Sequence, residues 1–250
     1  MTTVRQPTTV RPTTGQPTTG QPTTGQPTAL ITGAGRGLGL ALARALLSGG
    51  WRVVVDARRA GHLPAALPGA VVVAGDVTDP AHRDALAAAV SGLGRLDLLV
   101  SNASDLGPSP LPRLADVPLA AARRVFETNV LAPLALTQLF LPLLRASGGT
   151  VLNISSDAAV EAYAAWGAYG SSKAALDQLT AVLAVEEPEL AVYSVDPGDM
   201  RTAMHQAAFP GEDISDRPEP ETVVPALLRL VATRPPCGRV RAADLAGSPA

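Results

Sequence analysis

One cysteine, three histidines and a single lysine among 250 residues set the first limits. A lone Cys237 excludes an internal disulfide, and His62, His82 and His205 lie at no metal-ligand spacing, so no zinc cluster is expected. Charge is sparse too. Only 17% of residues are charged, the formal net charge is −2, and both signs are scattered along the chain, with no basic stripe for a phosphate backbone. Nucleic acid is therefore not an expected partner. No apolar run approaches the roughly 20 residues that span a bilayer, and the N-terminus lacks the apolar centre of a signal peptide. The expectation is a chain without a membrane partner in a reducing, cytoplasmic setting.

What is present is a hydrophobic content of 46%, enough to bury a full-size core in one large α/β domain. The first residues do not contribute to it. The repeat TTGQPTTGQPTTGQPT has almost nothing apolar to offset its ordering entropy, so residues 1–27 read as a disordered tail and 28–250 as the folded domain. From Thr28 short β-rich runs alternate with longer helical ones: TALIT (28–32), WRVVV (51–55), AVVVA (70–74), LDLLV (96–100), TVLNI (150–154) and LAVYSV (190–195), with CGRVRAADL supplying a last strand. Helices are expected over 39–47, 80–90, 119–145 and 168–186, and once more in ETVVPALLRLVAT; Pro133 and Pro142 threaten to kink or split the third. Strands apolar on both faces, separated by helices, predict a Rossmann-type, doubly wound parallel sheet.

The first strand ends in TGAGRGLG, with Gly33, Gly37 and Gly39 at the strand-to-helix turn. Such a turn lets the backbone approach a pyrophosphate, which then sits on the N-terminus of the next helix. The spacing differs from G-x-G-x-x-G, although Gly35 restores one such reading, and the flanking strand and helix carry the argument. At the end of the second strand, VVVDARR offers both an acid for the ribose hydroxyl of NAD, Asp56, and an arginine for the phosphate of NADP, Arg58. Arg36 is a second cation within reach of that phosphate, and the balance leans to NADP, with NAD as the alternative. Asp76 is suited to adenine or to a helix cap, for which Asp79 is better placed.

Together, TGAGRGLG, GDV, SNAS, the Asn of FETNV, NISS, YGSSK and DPG resemble the short-chain dehydrogenases/reductases from about Thr28 to Thr202. The resemblance implies a nicotinamide cofactor, hydride transfer to or from a carbonyl/alcohol pair, and a tetrad of Asn129, Ser156, Tyr169 and Lys173. Further cofactor contacts are implied at Leu38, Val77, Asn102, Ala103, Pro197, Gly198 and Thr202.

The residue usage fits that chemistry. Of the 20 Lys and Arg residues Lys173 alone is lysine, and the three asparagines, Asn102, Asn129 and Asn153, all fall in these motifs. Tyr169 and Lys173 are four apart on a helix, so the ammonium can depress the phenol's pKa from about 10 and join a proton relay, which a guanidinium is too large and too basic to do. Ser156 stabilises charge developing on the substrate oxygen, with Ser155 as its rival. The resemblance implies that Asn129 holds a water between Lys173 and solvent. The segment 203–220 is the expected substrate lid.

Two departures stand out: SNAS replaces the common NNAG, which threatens to crowd the cofactor's edge, and the glycine-rich C-terminus of tetrameric members is missing. A homodimer through the long helices is possible on this pattern. A dehydratase, epimerase or cyclase using the same tyrosine, and a cofactor-sensing protein without turnover, are the rival readings.

Overall fold

The structure, a computed structural model, describes residues 25–245, so the tail up to residue 24 lies outside the described residues. The fold takes in residues just ahead of the expected Thr28. Gln26 O accepts from Arg52 Nη2 at 3.2 Å, and Pro27 O accepts from Arg52 N at 2.8 Å.

Among the described residues the strands are β1 Thr28–Ile31, β2 Arg52–Ala57, β3 Val71–Ala74, β4 Leu98–Ser101, β5 Thr150–Ile154, β6 Ala191–Asp196 and β7 Gly238–Arg241. The α-helices are α1 Gly37–Ser48, α2 Leu63–Ala66, α3 Pro80–Ser91, α4 Leu119–Phe126, α5 Ala132–Ser147, α6 Gly167–Glu186, α7 Ala203–Ala208, α8 Val224–Thr233 and α9 Ala242–Leu245. Every strand pair is parallel, in the order β3-β2-β1-β4-β5-β6-β7. The order reverses between β1 and β4, and there a crevice opens beyond the carboxyl ends of the strands.

Successive strand side chains point to opposite faces, and both faces are covered. Ala29 and Ile31 of β1 join Leu38 and Leu42 of α1 and Leu227 of α8, whereas Leu30 between them joins Leu86 of α3 and Leu136, Phe140 and Leu144 of α5. This double burial explains why the strands read as unbroken apolar runs.

The helix expected over 119–145 is interrupted where it matters for the site. A π-helical turn, Glu127–Leu131, separates α4 from α5. Pro133 has no N–H to offer the carbonyl of Asn129 four residues earlier, so the regular ladder cannot run through this point and widens. Leu119–Ser147 is also the one helical stretch among the described residues that is long and apolar enough to cross a membrane. Here Leu136, Phe140 and Leu144 are buried in the core.

On the same side of the sheet α6 makes a backbone approach that only glycine allows. A Cβ on Gly170 would lie 2.6 Å from the carbonyl oxygen of Ala158, in the segment that follows β5. Gly170→Ala adds about 1 kcal/mol of intrinsic helix propensity, but the clash with a fixed carbonyl costs about 1–3 kcal/mol. We expect a lower thermal midpoint and a lower turnover, because the neighbouring Tyr169 must shift with α6. A variant as stable and as active as the parent would show that the helix has room there.

Candidate active site

The glycine turn is held open from behind. Gly33 has a φ of +67°, and a Cβ there would lie 2.7 Å from Ala103 Cα, so the turn rests directly on the segment after β4. Asn102 Nδ2 donates to Thr32 O at 2.8 Å and Gly33 O at 3.2 Å, and Thr32 Oγ1 accepts from the N–H groups of Asn102 and Ala103, each at 3.0 Å. Asn102 thus acts by fixing the turn. Gly39 lies where α1 meets Asn102: a Cβ would come within 2.5 Å of its Nδ2.

At the end of β2 the acid and the arginine are placed differently. Asp56 is 1% exposed and turned inward, where one carboxylate oxygen accepts from Gly33 N at 2.6 Å and the other meets His82 Nε2 at 3.1 Å. The acid considered for the ribose of NAD thus also supports the turn, together with a histidine on α3 far from it in sequence, while it lines the cavity. Arg58 remains at the cavity and acts on Asp76. Burial raises the Asp76 pKa, but hydrogen bonds from the N–H and hydroxyl of Thr78, with Arg58 and His82 nearby, bring it below its ordinary value. Asp79 is the cap of α3, accepting from Ala81 N at 2.9 Å.

At the other end lie Tyr169, Ser156 and Lys173. Tyr169 is 7% exposed, and burial is the main reason its pKa is pushed up to about 12; Ser104 and Ser156 hydroxyls pull it down, while Asp157 and Asp196 add to the rise. Lys173 is 2% exposed. Its Nζ donates to Ile154 O at 2.7 Å and stands 5.6 Å from the Tyr169 ring centre. Burial brings its pKa down to about 8, against the opposing pull of Asp177. Ser156 Oγ donates to Asp157 Oδ1 at 2.9 Å and accepts from Ala158 N at 3.2 Å. Asp157 Oδ2 in turn accepts from the Tyr163 hydroxyl at 3.0 Å.

Asn129, in the π turn, is fully buried, and both atoms of its side-chain amide are bonded. Its Oδ1 accepts from Asp105 N at 2.8 Å and Ser104 Oγ at 3.2 Å, and its Nδ2 donates to Asp105 O and Ser172 Oγ, both at 2.9 Å. The side-chain amide is a clamp between the segment after β4 and α6, which leaves the main-chain carbonyl, without an N–H from Pro133, as the group of Asn129 that could meet the expected water. The serine of SNAS, expected to crowd the site, instead ties Asn129 to the phenol. Sequence reasoning also passed over Asp157, Trp166 and Phe209. Trp166 stacks edge-on to Tyr169 at 5.7 Å and lies 5.9 Å from Phe209, which extends the aromatic wall to the segment expected to be a lid. Its first turn is α7, capped by Thr202 Oγ1, which accepts from His205 N at 3.1 Å; Ser109 Oγ donates to Ala207 O at 2.7 Å and joins α7 to the 103–114 loop.

A cavity of about 620 Å³ connects the two ends, and every residue expected at the cofactor or the reaction lines it except Gly39 and Asn129. Arg36, Arg58 and Arg59 border one end; Tyr169, Lys173 and Trp166 border the other. Ser155 Oγ is buried in its wall with no hydrogen-bond partner. The glycine turn without Cβ atoms, the cations beside it and this unpaired hydroxyl fit a dinucleotide lying along the cavity.

A family model described as short chain dehydrogenase matches residues 27–213. Bovine L-xylulose reductase is 35% identical over 188 residues, covering 72% of this chain and 75% of that one. Serine 3-dehydrogenase of Agrobacterium fabrum is 37% identical over 184 residues, 69% of this chain and 72% of the relative. Among solved structures, a short-chain dehydrogenase from Streptomyces avermitilis superposes with a TM-score of 0.76 at 32% identity, covering 89% of this chain and 91% of the other. A Shigella flexneri chain complexed with NADP gives 0.78 at 30% identity, over 86% and 95% of the two chains. With this match to more than half of its length, the chain belongs to the short-chain dehydrogenase/reductase family and is an NAD(P)-dependent oxidoreductase.

Proposed function

We propose that this oxidoreductase prefers NADP(H), acts on a small or medium carbonyl/alcohol pair, and uses Tyr169 as general acid and base. The observation that carries the reading is the convergence of Tyr169, Ser156 and Lys173 on one wall of a cavity that the glycine turn and three arginines border further along. When bound, the nicotinamide supplies hydride to the carbonyl carbon or accepts one from the carbinol carbon. The residues of the chain manage the charge that this creates. As the carbonyl oxygen becomes negative, the Tyr169 phenol donates its proton; in the reverse direction the phenolate accepts one.

Ser156 stabilises the same oxygen. Its hydroxyl now donates to Asp157, so turning it toward substrate exchanges one acceptor for another while Asp157 keeps Ala158 N and Tyr163. Lys173, with a pKa near 8, exchanges protons readily in the neutral range and returns one to Tyr169 through the relay. Its single hydrogen bond to Ile154 O leaves two ammonium protons for the nicotinamide ribose. Preference for NADP is supported by the engagement of Asp56 with Gly33 and His82, which leaves Arg58, backed by Arg36, to meet the ribose 2′-phosphate.

The first test is fluorescence titration with NADPH and NADH, followed by NADPH depletion against a panel of ketones and aldehydes. Tight binding without depletion over a broad panel would remove the redox reading. Tyr169→Phe is expected to lower kcat by about 10²–10⁴-fold while the NADPH dissociation constant stays near that of the parent. Arg58→Ala removes a charge-assisted contact worth about 1.5–3 kcal/mol, so NADPH binding should weaken roughly 10–150-fold and NADH binding far less. Equal weakening of both would mean that Arg58 does not read the phosphate.

The phenol's raised pKa gives a third expectation. Below about 12 it is mostly protonated, so alcohol oxidation, which needs the phenolate, accelerates as pH rises, whereas carbonyl reduction does not. Ser104→Gly removes a group that pulls this pKa down and should move the oxidative profile to higher pH; an unmoved profile would detach Ser104 from the phenol.

A further inference from the structure

Three segments of the site meet at one guanidinium on the last strand. Arg239 of β7 is 25% exposed at its side chain, and its backbone is held in register opposite Ser194 of β6. Its Nε donates to Asp177 Oδ2 at 3.0 Å, and its Nη2 donates to the Ser156 carbonyl at 2.9 Å and to Asp196 Oδ2 at 3.3 Å. Ser156 opens the segment after β5. Asp177 lies on α6, one turn beyond Lys173. Asp196 closes β6, and its Oδ1 accepts from Gly198 N at 3.0 Å, which shapes the Pro197–Gly198 turn.

On the reading proposed above, we infer that Arg239 is a positioning residue for hydride transfer: its planar fork holds the Ser156 carbonyl, the Lys173 face of α6 and the Pro197–Gly198 turn in mutual register. The chemistry of the fork fits this task. The acceptors are two carboxylates, 15% and 7% exposed at their side chains, and one main-chain carbonyl, lying in different directions around one group. A guanidinium has five N–H donors in fixed directions and meets all three at once, whereas an ammonium on a flexible stem imposes no such plane. The fork also neutralises two partly buried carboxylates, of which Asp177 has Lys173 in its field as well, and removing the fork leaves a buried charge short of its partner. Arg239 touches neither the phenol nor the Lys173 ammonium, so it acts through the groups it holds.

The test uses the full chain with Arg239→Ala, Arg239→Lys and Arg239→Gln, measuring unfolding midpoint, NADPH affinity, the emission of bound NADPH, and kcat and KM for a carbonyl that the parent reduces. Positioning predicts that folded Arg239→Ala binds NADPH with near-parental affinity, loses the parental emission signature, and falls in kcat by about 10²-fold, the scale of an ångström's misplacement, with KM little changed. Added guanidinium ion should restore part of kcat, and Arg239→Lys should recover less than half of it. A lower midpoint with parental kcat and emission in the folded fraction would overturn the inference, leaving Arg239 a structural residue. If Arg239→Ala does not fold, Arg239→Gln and Arg239→Lys are judged on the same kcat and emission criteria. If the parent itself reduces no carbonyl, the proposed function fails, and the emission of bound NADPH still decides whether Arg239 sets the register.

Discussion

A single buried ammonium constrains everything at the carboxyl end of the sheet. Removing a charge from water is costly unless hydrogen bonds and an opposite charge accompany it. Lys173, at 2% exposure, has the Ile154 carbonyl at 2.7 Å and the field of Asp177 on the next turn. Burial brings its pKa down to about 8 against the opposing pull of Asp177. To bring the ammonium to the end of β5, α6 must lie close against the segment after that strand, and this is the approach that Gly170 permits over Ala158 O. The far side of α6 must then be held as firmly, which Asn129 does through Ser172. The π turn that presents Asn129 is thus part of the same requirement as the lysine.

Around that cation the cavity divides its labour by charge. Arginines 36, 58 and 59 line the cavity, and on the proposed reading they meet the phosphates of a dinucleotide away from the reacting oxygen. At the reacting end the partners of the phenol are hydroxyls, Ser104 and Ser156, and the wall beyond is aromatic. Aromatic residues make up only 3% of the chain, yet Tyr163, Trp166, Tyr169 and Phe209 form one continuous set of ring contacts here. Such a wall excludes water from the phenol, and its burial is the main cause of the raised pKa.

The parts of this arrangement that were legible in the sequence are those written by local spacing. Strands buried on both faces appear as unbroken apolar runs, the glycine turn follows the first of them directly, and Tyr169 and Lys173 share a helix face because they are four apart. The parts that were not legible depend on partners distant in sequence. That Asp56 also bonds His82, on α3, is written nowhere in its local sequence. Nor does the sequence show that both side-chain amide atoms of Asn129 clamp the segment after β4 to α6. Pro133 signalled a break in the long helix, but not that the break would take the form of a widened turn around the asparagine. Ser104 was visible as a departure, and only its neighbours reveal that the added hydroxyl connects two members of the site.

The contrast between the chain's one lysine and its many arginines also has a structural meaning beyond the active site. On the proposed reading, the requirement at position 173 is a small cation that can be fully enclosed, exchange a proton near neutrality and donate in whatever direction a bound molecule presents. A guanidinium fails on all three counts, being large, permanently protonated and planar. At position 239 the requirement is reversed. Three fixed acceptors on three segments must be met simultaneously, none of them exchanges a proton in the reaction, and stiffness is the useful property. The two cations flank the same helix, one within the cavity and the other behind it, with Asp177 acting on both. What separates them is therefore the number and fixity of the groups each must satisfy, and that difference is enough to explain why a sequence that otherwise writes arginine breaks the habit once.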